Sequence, residues 1–237
     1  MINTKQKETM IKPLIYNAMF EVVFERNVEV VIAIINDCCG TNYNVDVDDI
    51  RVEKRDIPRK NIREISLTCD YIIVVNKYYL YNIELNKKKY NGLIERNYTY
   101  VLKLHASRIP TGATYKEFTK YQTRQLNFNK YKNDENLGID VLGWSSYITN
   151  NRKFKNIGVF QFDIEFCYNL VYNNSNKYIE EVSKLYRWVA IFNDDSIEKI
   201  DYILGSNMLD MKTKKDFLKR IKDASTDEIV LSKISLE

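Results

Sequence analysis

Two carboxylates in this chain stand where carboxylates are costly. Glu84 lies between Ile83 and Leu85 in an apolar run, and Asp70 opens the apolar run before it. A carboxylate inside an apolar strand needs a partner or a cation. Two of them on adjacent strands, followed by lysines, suggest a metal site that acts on phosphates. Asn86 shares a strand face with Glu84, because side chains alternate along a strand. Its amide can orient a water but cannot serve as a general base near neutral pH. A plainer reading also stands: Asp70 begins a strand and Glu84 pairs with a nearby lysine. The pattern D-x13-E-x-N is short, and chance matches to short patterns are common.

The elements that must position these groups set a geometric condition. Strands are expected over Arg63–Val75 and Tyr78–Asn86, joined near Asn76-Lys77. A two-residue turn would put Asp70 opposite Ile83 and send Glu84 to the other face. A three- or five-residue loop centred on Lys77 would set Asp70 and Glu84 side by side. Directly paired residues have Cβ atoms about 4.5–5.5 Å apart, close enough to share one hard cation.

Around this hairpin, apolar residues at helical spacing predict a helix, or two broken near Arg26-Asn27, over residues 16–38. A charged, alternating strand is expected over 46–57. A helix spans Asn91 to about Arg108, closed by Pro110 and Gly112. A fourth strand covers Tyr121–Phe128. Residues 129–158 look irregular apart from the segment WSSYI. Phe160–Tyr168 is strand-like, and helices follow over Tyr178–Phe192, Ser196–Leu204 and Thr213–Asp223. The order predicts a mixed central sheet flanked by helices, with a helical C-terminal third. The expected division is 1–170 for the α/β domain and 171–237 for the helical extension.

The chain has 237 residues and a formal charge of +4, which permits nucleic-acid binding without requiring it. Its four cysteines lack CxxC spacing and there is one histidine, which argues against structural zinc. Cys38 and Cys39 fit a helix end in a reducing compartment. The N-terminus lacks the apolar stretch of a signal peptide. No apolar run approaches the roughly 20 residues that span a bilayer. A cytoplasmic location without membrane contact is expected. His105 fits a structural role better than that of a general base. Trp144 and Trp188 read as packing residues, and Asp163 and Glu165 as a solvated strand face.

With these elements in place the chain resembles the PD-(D/E)XK nuclease fold, and more narrowly its transposase-like, recombination-promoting nucleases. The residues that carry the resemblance are Asn82-Ile83-Glu84-Leu85-Asn86, then Arg96 and Tyr100, then Gly112 and Tyr115. The segment Glu180–Phe192 is similar to the family's helical tail. The likeness covers roughly residues 14–204. It implies a restriction-endonuclease-like α/β (α+β) core and a metal-dependent DNA endonuclease. Asp70 and Glu84 would bind Mg²⁺ or Mn²⁺, and Asn86 would complete the catalytic set. Lys87, Lys88, Arg96 and Lys103 would hold DNA. Taken alone, the run Lys87–Lys89 reads as a solvated face; Arg96 is the stronger candidate because it also matches the family's arginine. A homodimer is left open. The sequence departs from the family at two places. Asn86 replaces the usual Gln or Lys, and Asn17-Ala18-Met19-Phe20-Glu21 replaces D-x-x-F-K. Glu21 reads as a solvated helix residue, with a metal-ligand role as the alternative. An inactive relative that binds DNA or a protein partner is the second expectation.

Overall fold

The structure, a computed structural model, describes residues 9–53, 56–57, 67–88, 91–130, 139–143, 156–173 and 179–237. It divides into two compact units. Residues 43–163 form one, and residues 1–42 together with 164–237 form the other. The first helices therefore group with the C-terminal helices, not with the sheet as expected. Their apolar faces supply the reason. They are buried among the late helices and leave the sheet unit to build its own core.

The sheet unit holds β1 (Ile50–Glu53), β2 (Asp56–Ile57), β3 (Leu67–Thr68), β4 (Tyr71–Val75), β5 (Tyr79–Asn86), α3 (Leu93–Arg108), α4 (Tyr115–Phe118), β6 (Gln122–Asn129), β7 (Ile139–Gly143) and β8 (Ile157–Asp163). Six strands form one sheet in the order β1-β4-β5-β6-β8-β7, and β2 pairs with β3 separately. β5, β6 and β8 run parallel, while β1, β4 and β7 pair antiparallel to their neighbours. This is the expected mixed sheet with helices. Two expectations change. The segment 129–158 contributes an edge strand, β7. The run Phe160–Tyr168 is a strand only to Asp163, and its remainder begins a helix. Lys89 and residues 144–148 (WSSYI) lie outside the described residues.

One sheet face is apolar. Tyr71, Ile73, Ile83, Leu126, Phe128 and Phe162 are buried there, with Phe128 and Phe162 in ring contact at 5.1 Å. The other face carries the polar residues of β5, β6 and β8. Two contacts set α3 over it. Arg96 reaches Glu84, and His105 Nδ1 lies 3.0 Å from Thr123 Oγ1. His105 is buried against Phe118, and burial lowers its pKa. That is a structural histidine.

The helical unit holds α1 (Asn17–Phe24), α2 (Val28–Cys39), α5 (Ile164–Asn173), α6 (Lys184–Ala190), α7 (Ile197–Leu204), α8 (Met211–Thr226) and α9 (Glu228–Leu236). The break between α1 and α2 falls at Asn27, whose side-chain amide donates to the Val23 carbonyl. Phe20, Phe24, Phe192 and Phe217 stack at centroid distances of 4.4–6.1 Å. Trp188 is buried and donates through Nε1 to Asp37 at 2.7 Å. Glu21 faces Lys233 in this unit at 3.9 Å. None of the four cysteines forms a disulfide.

Arg187 is fully buried. Its guanidinium donates to the Ile203 and Leu204 carbonyls at 2.6 and 2.7 Å, and to Asn207 Oδ1 at 2.8 Å. These acceptors close the end of α7, where carbonyls lack intrahelical donors. The next residue, Gly205, has φ +55, and a Cβ there would strike the Arg187 guanidinium. Arg187→Leu should strand three acceptors and cost about 3 kcal/mol. Urea unfolding checks this, and a loss below about 0.5 kcal/mol, the ordinary surface range, would contradict it.

Candidate functional site

The β4–β5 hairpin decides whether the two carboxylates meet. Val75 pairs with Tyr79 and Tyr71 with Ile83, so the loop is Asn76-Lys77-Tyr78. Its three residues meet the odd-loop condition. Extending the register by one position sets Asp70 opposite Glu84. Asn76 and Lys77 both adopt positive φ, +50 and +65. The turn is held from several sides. The Asn76 backbone N–H donates to the Asp49 carbonyl at 2.8 Å. Its side chain accepts from the Asp49 N–H at 3.0 Å and donates to Asp48 Oδ1 at 2.7 Å.

The carboxylates are anchored differently. β4 pairing ends at Tyr71, so the Leu85 N–H has no strand partner there, and it donates to Asp70 Oδ2 at 2.7 Å. Glu84 is only 1% exposed. Its Oε1 accepts from Asn82 Nδ2 at 3.0 Å, and its Oε2 faces Arg96 Nη2 at 3.4 Å. Burial first, and then the charge of Asp70, push the Glu84 pKa from 4.5 up to about 8. The Asn82 amide and Arg96 pull it back only in part. Cys69, buried beside the pair, has its thiol pKa raised by burial and by both carboxylates.

Arg96 brings positive charge to this environment without full compensation. A hard divalent cation held by both carboxylates would supply the rest, and carboxylate oxygens are the donors such ions prefer. Among the described residues no group of three or more His, Cys, Asp or Glu side chains could hold a metal. The fit is thus to a cation that keeps several of its waters, as Mg²⁺ does when one or two carboxylates hold it.

Asn86 is 5% exposed on the Glu84 face. Its Nδ2 donates to Asn129 Oδ1 at 2.9 Å, and Asn129 Nδ2 donates to Gln161 Oε1 at 2.9 Å. This chain of amides crosses three parallel strands and commits one N–H of the Asn86 amide, which sets its orientation. Asn86 therefore presents its carbonyl oxygen as an acceptor. Strand register extends the polar face: Glu84 aligns with Asn127 and Gln161, and Asn86 with Asn129 and Asp163. Gln125, Asn127, Asn129, Gln161 and Asp163 are all buried.

Asp163 is thus not a solvated strand residue, as the sequence suggested. It is 6% exposed at the carboxyl end of β8, whereas Glu165 is exposed in the first turn of α5. The alternation Gln125, Asn127, Asn129 falls at the expected fourth strand, where these residues were not singled out. The resemblance of QLNFN to NIELN, polar at the same register, was the available signal.

The expected DNA-holding residues divide. Arg96 comes to the carboxylates, and its guanidinium lies 4.6 Å from the Tyr100 ring centre. Lys87 is half-buried and Lys88 exposed, immediately beyond β5. Lys103 is half-buried on α3, about 10 Å along the helix axis from Arg96.

Glu84 binds its proton more tightly in the folded chain than in the unfolded one between pH 4.5 and about 8. Stability without added metal should therefore fall as pH rises through that window. Glu84→Gln should flatten this dependence and raise the melting temperature at pH 8. Thermal melts from pH 5 to 8 in EDTA check it, and parallel curves for the two proteins would refute it. Comparison with known proteins finds no matching family model, no matching curated protein and no matching solved structure.

Proposed function

We propose that this chain is a metal-dependent DNA endonuclease of the PD-(D/E)XK type, related to the transposase-like, recombination-promoting nucleases. The observation that carries the reading is the Asp70–Glu84 opposition across a three-residue hairpin, with the Glu84 pKa raised by burial first and then by its neighbour. Asp70 and Glu84 would hold Mg²⁺ or Mn²⁺. Such a cation acidifies water and offsets the charge that develops on a phosphodiester oxygen. Asn86, its nitrogen held by Asn129, accepts a hydrogen bond from the attacking water and so aims its lone pair. Arg96, partly exposed beside Glu84, places positive charge where a scissile phosphate would sit. Lys87 and Lys88 at the end of β5 add sequence-independent attraction to the phosphate backbone, which weakens as salt rises.

One observation favours a second reading. Glu84 already has Asn82 on one oxygen and Arg96 on the other. An inactive relative that binds DNA or a protein partner would keep this internal pairing undisturbed.

Plasmid nicking in Mg²⁺ separates the two. For a nuclease, wild type should nick, Asp70→Ala should not, and Glu84→Gln should lose cleavage while keeping metal-free DNA binding. Asn129→Leu should lower kcat by about tenfold or more with little change in KM, because it frees Asn86 to turn. Absence of Mg²⁺-dependent nicking by wild type, with DNA still bound at low salt, would reject the enzyme and leave the binding module.

A further inference from the structure

The β4–β5 hairpin has a second end. At the turn lies a cleft of about 270 Å³, lined by Lys77, Tyr78, Thr111, Glu117, Lys120 and Tyr121 among others. Tyr79 is five residues from Glu84 on β5, roughly 17 Å at the usual strand rise. This cleft is therefore separate from the carboxylate pair.

Its charge is the first clue. Lys77 and Lys120 bring two ammonium groups against one carboxylate, Glu117. That carboxylate is committed to a capping box, accepting from the Thr114 N–H and hydroxyl at 2.9 Å each. Both lysines line this one cleft.

The backbone is the second clue. Lys77 sits at φ +65, where a non-glycine residue is strained. Asn or Gly is the ordinary occupant of such a position. The strain is imposed by the Asn76 contacts on one side and by Arg108 on the other, whose Nη2 donates to the Lys77 carbonyl at 2.8 Å. Strain that the surroundings hold in place is a mark of functional positions.

The rings are the third clue. Tyr78 and Tyr121 meet edge to face at 5.4 Å, and the Lys77 Nζ lies 5.7 Å from the Tyr78 ring centre. The half-exposed Tyr78 ring offers a flat surface next to the positive charge. The volume is near the lower limit of about 300 Å³ for small-molecule clefts, which suits one nucleotide unit and not a duplex.

We propose that this cleft binds one nucleotide unit by its terminal phosphate, with the phosphate between Lys77 and Lys120 and the base against Tyr78. The unit comes either from a free nucleoside monophosphate or from the 5′-phosphorylated end of a strand. The proposal does not rest on the nuclease reading, because binding is read in EDTA with no cleavage involved.

The full-length protein is titrated calorimetrically with AMP, adenosine, and 5′-phosphorylated and unphosphorylated oligothymidylate. AMP should bind and adenosine should not. Tighter binding of AMP than of the phosphorylated oligomer identifies the free nucleotide as the ligand, and the reverse identifies the strand end. Lys77→Gly should weaken binding by about tenfold, the loss of roughly 1.4 kcal/mol. It should leave the fold intact, since glycine takes this φ without steric cost. Lys120→Gln, on an exposed turn, should weaken binding similarly and serves if Lys77→Gly folds poorly. Binding of adenosine as tight as AMP, binding that ignores both substitutions, or no binding by any phosphorylated probe would overturn the proposal.

Discussion

Strand register across the Asn76-Lys77-Tyr78 turn is the constraint on which the rest of the sheet unit depends. Because side chains alternate, a loop one residue shorter would move one carboxylate to the opposite face. The turn is expensive, with two consecutive non-glycine residues at positive φ. Contacts from Asp48, Asp49 and Arg108 keep it in this form. One local arrangement thereby fixes the Asp70–Glu84 pair at one end of the hairpin and the lysine cleft at the other.

The second organising feature is the polar face of β5, β6 and β8. Buried amides here pair in sequence: Gln125 donates to Asn127, Asn127 to the Phe160 carbonyl, and Asn129 to Gln161, while Gln125 Oε1 and Asn82 Oδ1 have no partner. A buried hydrogen-bonded network restricts side-chain orientation. Its consequence here is that Asn129 fixes the orientation of the Asn86 amide, with the carbonyl oxygen as its acceptor. Glu84 differs from the amides, because its partners do not compensate burial and the nearby Asp70 charge. The strained electrostatics are concentrated at one carboxylate.

The helical unit follows a different economy. Its core is aromatic and aliphatic, and its buried cation, Arg187, is matched to the carbonyls that end α7. Among its described residues the counterpart of Glu84 is a single buried carboxylate, Asp194. Burial lifts its pKa to about 7, but Tyr172 donates to it at 3.0 Å.

The amino-acid sequence alone determined the elements with clear periodicity: helix over 16–38, with a break near Arg26-Asn27 as one of two readings, the apolar runs of β4 and β5, and the helix that Pro110 and Gly112 close. It also singled out Asp70 and Glu84, because a charge within an apolar run is conspicuous in one dimension. It left the hairpin loop open among two, three and five residues, since Asn76-Lys77 suits each. Only tertiary contacts from Asp49 and Arg108 chose among them. The edge strand β7 was missed because an edge is made by pairing with β8, not by local pattern. Asn129, Gln161 and Asp163 were passed over for the same kind of reason. A polar residue at alternate strand positions looks solvent-facing until a helix, here α3, covers that face.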